Sequence, residues 1–392
     1  MVNKMPEINE RTVHYLSYYI DKEYAEHLEG SMAVLPKVEY VRDSIRELNL
    51  NIRIVSTAGA KKGIGSFLKN NKQVTDQESH IYFSSYGAKT KIGRLFSRMW
   101  VKAQLVLYLI KNVKKEDSIL IYHSLQYIWP IRIFKMIKNN KIIFQVEEIY
   151  SDAYKKFSKY KKKEMNFLSN GDSYICINEN VQDIITGGKP STVLYGDYRI
   201  PPLSPKQIIY RKKIKAVYAG VIEPTRIAAE TAVNAARYLN ENYLIHIAGF
   251  GKDEDINSLK KLIEQINLEL GYIGVIYDGA FQGEVFREYL QDKDIGLNCH
   301  SYSDEDLISA EVTFPSKILV YLTSGLKVIS PRINCLENSD LENFIEFYEG
   351  FDAEDLAKVI FSTSAKITNQ DSIFSQIELL DKNFKMQLSD IM

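Results

Sequence analysis

The stretch TFPSKILVYLTSGLKVIS, residues 313–330, decides the fold because it joins a helical run to a strand-like run through one glycine. Pro315 suits the first position of a helix, and Gly325 suits the residue after its end. Ser316 and Lys317 then fall in the first helical turn, where backbone N–H groups and the helix dipole favour an anion. The stretch therefore predicts an anion site at a helix start, with a solvent-facing lysine as the open alternative.

Outward from this stretch, strand-like and helical runs alternate along the second half of the chain. The predicted strands are 214–219, 243–248, 272–277, 294–299 and 326–330, and the predicted helices are 226–239, 255–269, 284–291 and 315–324. Apolar strands that alternate with helices indicate a parallel sheet covered on both faces.

The first half repeats the pattern. The predicted strands are 13–20, 52–55, 119–122, 141–146, 173–177 and 192–195, and Val38, Val41, Ile45 and Leu48 form a helical stripe. We therefore expect an α/β protein with two Rossmann-like, doubly wound domains. Ligands of such sheets bind beyond the carboxyl ends of the strands, so we expect the site in an interdomain cleft.

The domain boundaries follow from length and proline content. A chain of 392 residues is too long for one ordinary domain. Three prolines fall between positions 201 and 205, where they disfavour both helix and sheet. We expect an N-terminal domain over 1–200, a linker over 201–213 and a C-terminal domain over 214–370. Residues 371–392 are expected to form a helix that packs back on the N-terminal domain.

The net charge of zero hides an uneven distribution. Residues 1–200 contain 31 basic and 21 acidic residues, a net charge of +10, so residues 201–392 carry −10. Within 51–163 there are 23 basic and 7 acidic residues, a net charge of +16. Basic and aromatic residues cluster at 89–115 and 154–163, which suits an anionic membrane surface. A solvated helix face is the alternative, and no nucleic-acid-binding motif is present.

Cysteine usage and the N-terminal sequence predict a cytoplasmic location, and the basic clusters predict peripheral attachment to the inner face of the plasma membrane. The three cysteines, Cys176, Cys299 and Cys335, form no CxxC pair, which fits a reducing compartment. The first 16 residues, MVNKMPEINERTVHYL, lack the apolar core of a signal peptide. The histidines show no metal spacing, so neither a metal nor another cofactor is expected.

Several residues lie where a strand-to-loop junction could bring them to a ligand. Gly220 ends the first strand of the second half, and Arg226 follows six residues later. Gly249 and Gly251 fall in a predicted loop, where they fit either a turn or a ligand contact. Asp278 follows the next strand.

In the first half, Glu147 and Glu148 directly follow a predicted strand, so their carboxylates could accept a hydroxyl proton or bind hydroxyls. Carboxylates at a helix N-terminus are the alternative. His123 follows the neighbouring predicted strand and is a weaker candidate, because a lone histidine is more often structural.

The segments FPSKILVYL, YAGVIEPTR and HIAGFG together resemble the nucleotide-sugar-binding half of retaining GT-B glycosyltransferases. The resemblance is to glycosyltransferase family 4 and its bacterial capsule and exopolysaccharide relatives. It extends over about 214–360, whereas over 1–200 it concerns mainly the fold.

The resemblance implies roles for individual residues. Those implied at the donor site are Gly220, Arg226, Gly249, Gly251, Asp278, Phe314, Pro315, Ser316 and Lys317, with Gly30 and Ser31 in a first-domain loop near the donor. Arg226 and Lys317 would hold the diphosphate, whereas Val221 replaces the arginine of the family pattern. Val312 and Val320 stand at the positions of the family's two glutamates, so Glu311 is the candidate for the sugar. Glu147 or Glu148 would contact the acceptor.

The expected function is a metal-independent, retaining transfer of a sugar from a nucleotide diphosphate sugar, preferably a UDP-sugar, to a glycan acceptor. The implied acceptor is a polyprenyl-diphosphate-linked oligosaccharide at the cytoplasmic leaflet, in surface polysaccharide assembly. Two alternatives remain. One is a non-catalytic partner subunit of a glycosyltransferase, which the two valines favour, and the other is a GT-B nucleotide-sugar epimerase.

Overall fold

The computed structural model describes residues 9–30, 34–202, 213–223, 227–299, 310–350, 352–367 and 369–392. The chain divides into two compact units. Unit 1 comprises Met1–Asp197 and Asn383–Met392, and unit 2 comprises Tyr198–Lys382. Each unit is built around one large sheet.

Unit 1 contains an eight-stranded sheet with the order β12-β11-β10-β9-β1-β3-β7-β6. Its strands are β1 (Asn9–Ser17), β3 (Leu50–Ser56), β6 (Asn70–Thr75), β7 (Glu78–Tyr82), β9 (Ser118–Tyr122), β10 (Lys141–Val146), β11 (Ser173–Cys176) and β12 (Ser191–Val193). All neighbouring pairs are parallel except β6 with β7. Two small antiparallel pairs join β2 (Leu28–Glu29) to β4 (Gly59–Ala60) and β5 (Ser66–Phe67) to β8 (Ser85–Tyr86).

The helices of unit 1 are α1 (Leu35–Glu47), α2 (Lys91–Asn112), α3 (Ile128–Lys135), α4 (Tyr150–Ala153), α5 (Lys161–Leu168) and α6 (Glu179–Ile185). Helix α1 has a proline in its first turn, and it buries Val38, Val41 and Ile45, as the helical stripe predicts. Helix α2 begins at Thr90, whose hydroxyl accepts a hydrogen bond from the Gly93 amide.

Unit 2 contains a six-stranded, fully parallel sheet with the order β15-β14-β13-β16-β17-β18. Its strands are β13 (Ile214–Ile222), β14 (Tyr243–Gly251), β15 (Val275–Gly279), β16 (Ile295–Leu297), β17 (Lys327–Pro331) and β18 (Ile345–Tyr348). Its helices are α7 (Ala228–Ala235), α8 (Asp253–Leu270), α9 (Gly283–Gln291), α10 (Ser316–Thr323), α11 (Asn334–Glu337) and α12 (Ala353–Ala365). Counted from β13, the strand order is 3-2-1-4-5-6, the order of a dinucleotide-binding Rossmann domain.

The unit 2 core lies between this sheet and helices α7, α8 and α12. Val233, Ile247, Ile266 and Ile360 are fully buried there. Burial of one such side chain stabilises the fold by about 1.5–3 kcal/mol, so this core holds the strand ends in fixed register.

The last helix, α13 (Gln370–Ile391), ends in unit 1. The Ser173 hydroxyl donates to the Ile391 carbonyl over 3.0 Å, and the Thr192 hydroxyl donates to Gln387 over 2.6 Å. The Phe384 ring packs against Tyr40. The end of the chain is therefore part of the unit 1 fold. No helix in the described part of the chain is long and apolar enough to cross a membrane.

The structure differs from the sequence predictions in several strand and helix ends. Strand β14 continues through Gly251, so the predicted loop at Gly249 and Gly251 is instead the end of a strand. Pro315 caps α10 from outside the helix, and Ser316 is the first helical residue. The short β6, with the sequence NNKQVT, escaped prediction because it lacks an apolar pattern.

Candidate functional site

The carboxyl end of β13 is where the unit 2 sheet reverses its strand order, because β14 and β16 lie on opposite sides of β13. Crevices of this kind are where open parallel sheets bind ligands. Gly220 lies near this end of β13. A Cβ atom at position 220 would lie 3.1 Å from Lys317 Nζ and 3.0 Å from the Tyr218 hydroxyl. The glycine therefore leaves room beside a lysine.

Lys317 comes from the first turn of α10 and lies over the Tyr218 ring, 4.3 Å from its centroid. Such a cation–π contact fixes the position of the ammonium group while leaving its charge intact. The positive end of the α10 dipole adds to this charge. Lys317 is half-buried and Ser316 is exposed. A diphosphate at this position would therefore meet a held cation and a helix start.

Tyr321 anchors α10 to both strands that flank the reversal point. Its buried hydroxyl accepts a hydrogen bond from the Ala219 amide over 2.9 Å and donates to the Leu297 carbonyl over 3.4 Å. A Cβ atom at Gly296 would lie 2.3 Å from the Tyr321 ring, so the ring requires glycine there. Through these contacts, the turn that carries Lys317 is held at the end of β13.

Gly249 and Gly251 serve strand packing. They pair with Gly220 and Ile222 across β13 and β14. A Cβ atom at Gly249 would lie 1.9 Å from the Gly220 carbonyl oxygen, and one at Gly251 would lie 2.3 Å from the Ile222 carbonyl oxygen. These close backbone approaches account for both glycines without a ligand.

Asp278 is engaged in a side-chain network at the end of β15. It accepts a hydrogen bond from the Tyr289 hydroxyl over 2.6 Å and contacts His246 Nδ1 over 2.7 Å. Burial raises the pKa of Asp278, but its hydrogen bonds to His246 and Tyr289 outweigh burial and lower it. Tyr289 also stacks on Phe281 at 4.3 Å between ring centroids. Asp278 thus has a structural role in orienting Tyr289.

The remaining residues predicted for the donor site lie close to α10 or outside the described residues. Phe314 is buried, Pro315 caps the helix and Glu311 is half-buried. Arg226 and Ser31 lie outside the described residues. Val312, which stands at one of the glutamate positions of the family pattern, is buried in the core at 4% exposure.

In unit 1, the sheet reverses its order between β1 and β9, and Glu147 follows the neighbouring strand β10. Glu147 forms an ion pair with Lys37 of α1, and both side chains are largely buried. It also accepts a hydrogen bond from the side-chain amide nitrogen of Gln145 over 2.8 Å, while the side-chain Oε1 of Gln145 accepts one from the Tyr15 hydroxyl. These contacts fix the Glu147 carboxylate at the carboxyl edge of the sheet.

Glu148 accepts a hydrogen bond from the Tyr154 hydroxyl over 3.1 Å, and its side chain is half-buried. Gly30 has a packing role at the same edge of the fold. A Cβ atom at position 30 would lie 2.2 Å from Ile20 Cδ1 and 3.0 Å from the Tyr18 carbonyl oxygen. The space beside Gly30 is therefore occupied by the chain itself.

His123 is buried at 2% exposure among the rings of Phe144, Tyr150 and Phe167. Its Nε2 contacts Glu164 over 2.7 Å. The Glu164 carboxylate in turn accepts hydrogen bonds from the backbone amides of Tyr150 and Ser151, the first two residues of α4. His123 is therefore enclosed in the core as part of a structural network, and this burial does not suit the catalytic role expected from the sequence.

Four residues at these two edges were not singled out from the sequence. They are Tyr218, Tyr321, Lys37 and Gln145. Gln145 carried a signal, because it is a polar residue inside the apolar strand KIIFQV, and such a residue is buried only with hydrogen-bond partners. Tyr321 and Lys37 lie on helices where a tyrosine or a lysine is ordinary.

No group of three histidine, cysteine, aspartate or glutamate side chains that could hold a metal ion occurs among the residues the structure describes. The three cysteines are buried and reduced. Burial raises the pKa of Cys299 to about 12, although the nearby Lys317 charge acts in the opposite direction.

No protein-family model and no curated protein matches the sequence. Solved structures do match over nearly the whole chain. A trehalose-6-phosphate synthase from E. coli bound with UDP-2-fluoro glucose aligns with a TM-score of 0.69 and 10% identity, over 97% of this chain and 98% of that one.

Two further structures are similar to the chain. Sucrose-phosphate synthase from Thermosynechococcus elongatus aligns with a TM-score of 0.62 and 14% identity, over 97% of this chain and 94% of that one. Anabaena HepE in complex with UDP and glucose aligns with a TM-score of 0.63 and 12% identity, over 96% of this chain and 99% of that one. These neighbours are GT-B glycosyltransferases with two Rossmann-like domains, so the chain has the GT-B fold.

Proposed function

We propose that this protein is a glycosyltransferase that takes a sugar from a nucleotide diphosphate sugar. The observation that carries the proposal is Lys317, held over Tyr218 beside Gly220, at the start of a helix and at the reversal point of a parallel sheet. A nucleotide diphosphate carries the negative charge that this position favours.

In the proposed reaction, Lys317 and the α10 N-terminus neutralise the charge that develops on the departing diphosphate. Fixed cations and helix dipoles can do this without a metal ion, because they are already oriented before the reaction. Arg226 is proposed as a second cation at this position. Glu311 is proposed to orient the donor sugar. Transfer with retention of the anomeric configuration is part of the proposal.

A UDP-sugar is the proposed donor. Among the similar structures, HepE is in complex with UDP and glucose, and the E. coli protein is bound with UDP-2-fluoro glucose. These ligands belong to those proteins, and they support a uridine donor here through the shared fold.

The proposed acceptor side is the carboxyl edge of unit 1, where Glu147 and Glu148 lie. Glu147 has a fixed orientation between Lys37 and Gln145, which suits a group that receives hydrogen bonds from sugar hydroxyls. The acceptor is proposed to be a glycan linked to a polyprenyl diphosphate, at the cytoplasmic face of a membrane and in surface polysaccharide assembly.

The experiment is a donor screen with mass readout. The purified chain is incubated with UDP-glucose, UDP-galactose, UDP-N-acetylglucosamine or GDP-mannose, each with and without a polyprenyl-diphosphate-linked oligosaccharide. A gain of one sugar on the acceptor with a UDP-sugar is the expected result. Release of no nucleotide from any donor contradicts the proposal.

A non-catalytic, glycosyltransferase-like partner subunit is the second candidate, and Val312 favours it. A buried valine replaces a carboxylate at a position where the family pattern has a glutamate that contacts the sugar. This candidate predicts that titration calorimetry with the same donors detects no binding of any nucleotide sugar. A nucleotide-sugar epimerase predicts instead that the donor is converted to its epimer in the reactions that lack acceptor. Because the two epimers have the same mass, NMR of the donor sugar detects this conversion.

A further inference from the structure

The first half of α2 exposes five large apolar side chains on one face. Ile92, Leu95, Phe96, Met99 and Trp100 are 45–71% exposed. Their spacing of three and four residues places them along one stripe of the helix. Soluble proteins rarely expose such a continuous apolar stripe unless it contacts a partner.

Residues on another side of this half-helix form hydrogen bonds to the rest of unit 1. Ser97 accepts a hydrogen bond from the Tyr86 amide over 2.9 Å, and Gln104 exchanges hydrogen bonds with the Ser84 backbone. Val101 begins the part of α2 that packs in the core. The helix is thus attached to unit 1 along one side, and the apolar stripe faces away from that side.

A row of cations runs beside the stripe. Lys91, Arg94, Arg98 and Lys102 follow one another at helical spacing. Residues 79–115 contain no aspartate or glutamate, so no acidic residue of this segment offsets these charges. An apolar stripe with tryptophan and phenylalanine beside a basic row has the composition of a helix that lies in the plane of a membrane surface.

In the second basic cluster, residues 154–163, the aromatic rings contact one another. Tyr154, Phe157 and Tyr150 pack on one another, and Lys156 lies 4.9 Å from the Phe157 ring centroid. Tyr154 and Tyr160 are 37% and 36% exposed, less than any of the five apolar side chains of α2. Of the two clusters in the sequence, α2 therefore presents the larger and more continuous exposed apolar surface.

We infer that the stripe on α2 docks on an anionic lipid bilayer, with the apolar side chains among the acyl chains and the basic row at the headgroups. Charge complementarity favours this occupant over a second copy of the chain. A two-fold contact over the stripe would bring two basic rows together, and like charges at close range oppose association. The inference goes beyond the proposed sugar transfer, since lipid binding needs neither donor nor acceptor.

The location of the stripe supports its role. In the chain, α2 lies between β7 and β9, which are parallel to β3 and β1 respectively and therefore run in the same direction. A crossover helix of this kind starts at the carboxyl edge of the sheet and returns to the opposite edge. The stripe occupies the first three turns of α2. It therefore lies toward the same edge of unit 1 as Glu147.

The test is vesicle co-sedimentation of the full chain. Vesicles of phosphatidylcholine alone are compared with vesicles that contain about one third phosphatidylglycerol. Binding to the anionic vesicles and weaker binding to the neutral ones is expected, with a further loss in high salt because salt screens the headgroup attraction. If the chain binds neither the anionic nor the neutral vesicles, the inference is overturned.

Two pairs of substitutions locate the surface. Phe96→Ser with Trp100→Ser and, separately, Arg94→Glu with Arg98→Glu are each expected to weaken binding by at least about tenfold. The matched control, Leu268→Ser with Arg287→Glu, changes an exposed leucine and an exposed arginine of unit 2 and should bind like the wild type. Equal loss in the control and in the α2 variants overturns the assignment to α2.

Fluorescence gives an independent readout that does not depend on the charge variants. The chain has two tryptophans, so Trp129→Phe leaves Trp100 as the only one. A blue shift of Trp100 emission on addition of anionic vesicles, with quenching by brominated lipids, is expected. An unchanged spectrum, or a dimer that Phe96→Ser with Trp100→Ser converts to a monomer without any vesicle binding, overturns the lipid assignment. UDP binding can be measured in the same variants without vesicles, so failure here is distinct from failure of the proposed function.

Discussion

In unit 2, the carboxyl edge of the sheet presents Lys317 beside Gly220, whereas in unit 1 the same edge presents Glu147 held by Lys37. Both sheets are parallel around a reversal of strand order. The difference is in the side chains. Unit 2 places a cation and a helix start where a phosphate can bind, and unit 1 places an oriented carboxylate where hydroxyls can bind. Under the proposed function, the two units would thus use the same architecture for two different ligands.

The largest expected effect concerns the backbone contact behind the unit 2 edge. Gly249→Val places side-chain atoms on the Gly220 carbonyl, and the backbone there cannot move aside without breaking the pairing of β13 and β14. We expect a loss of about 3 kcal/mol in stability, because the strands must separate locally. Calorimetric unfolding of the full chain measures this loss.

The control for this variant is Gly65→Ala in unit 1. No atom lies within 4 Å of a Cβ atom at position 65, so the change should stay within about 0.5 kcal/mol. Equal destabilisation by both substitutions would contradict the close approach as the reason for Gly249.

A smaller effect is expected from the ion pair at the unit 1 edge. Lys37→Met leaves the largely buried Glu147 carboxylate without its cation, at a cost of about 2 kcal/mol. Glu147→Gln alone also destabilises, but the double variant should lose less than the sum, with a coupling of at least about 1 kcal/mol. Urea unfolding of the three variants measures this coupling.

The matched comparison is the Arg237–Glu269 pair of unit 2, which is more exposed. Its coupling should be about 0.5 kcal/mol or less, since exposed pairs gain little. A coupling at Lys37–Glu147 no larger than this would mean that the unit 1 edge does not hold its carboxylate as described.

The smallest expected effect is a pH dependence that arises from His80 of unit 1. Burial lowers the pKa of His80, but hydrogen bonds to Asp21 and Glu78 outweigh burial and raise the pKa above 6.5. Arg42 and Arg46 also face Glu78. A raised pKa means that this stabilisation is complete below pH 6.5 and is lost as the pH rises through the folded-state pKa.

Urea unfolding between pH 6 and pH 9 tests this dependence. Both tryptophans, Trp100 and Trp129, lie in unit 1, so their fluorescence reports its unfolding. Stability of the wild type should decline with rising pH, and His80→Gln should remove that decline. An identical pH profile in His80→Gln would show that another group is responsible.

The sequence predicted the fold better than the site. Apolar runs such as KAVYAG and YLIHIA reveal buried parallel strands, and the FPSK segment marks the start of α10. Lys317 was predicted because a lysine in a first helical turn opposes the dipole and implies a bound anion. Side-chain contacts across the fold were not predictable in this way. The distance from Lys317 to Tyr218 and the pairing of Glu147 with Lys37 depend on tertiary packing.

The roles of the glycines could not be predicted from the sequence either, because they also depend on tertiary packing. A glycine in a sequence fits a turn, a ligand contact or a close backbone approach. At Gly249 and Gly251 the structure shows the third, which requires knowing that β13 and β14 are neighbours. The sequence predicted an accessible His123 because this residue directly follows a strand. In the structure it is enclosed by the rings of Phe144, Tyr150 and Phe167, which come 21 or more residues later in the chain.

The most direct test of the difference between the two edges is the affinity for UDP, measured by titration calorimetry. Lys317→Met should weaken UDP binding by about 30-fold, the equivalent of about 2 kcal/mol for one charge-assisted contact. Glu147→Gln and the exposed-lysine control Lys358→Met should bind UDP within about twofold of the wild type. UDP binding that is unchanged by Lys317→Met, or reduced equally by Glu147→Gln, would contradict the assignment of the diphosphate to the end of β13.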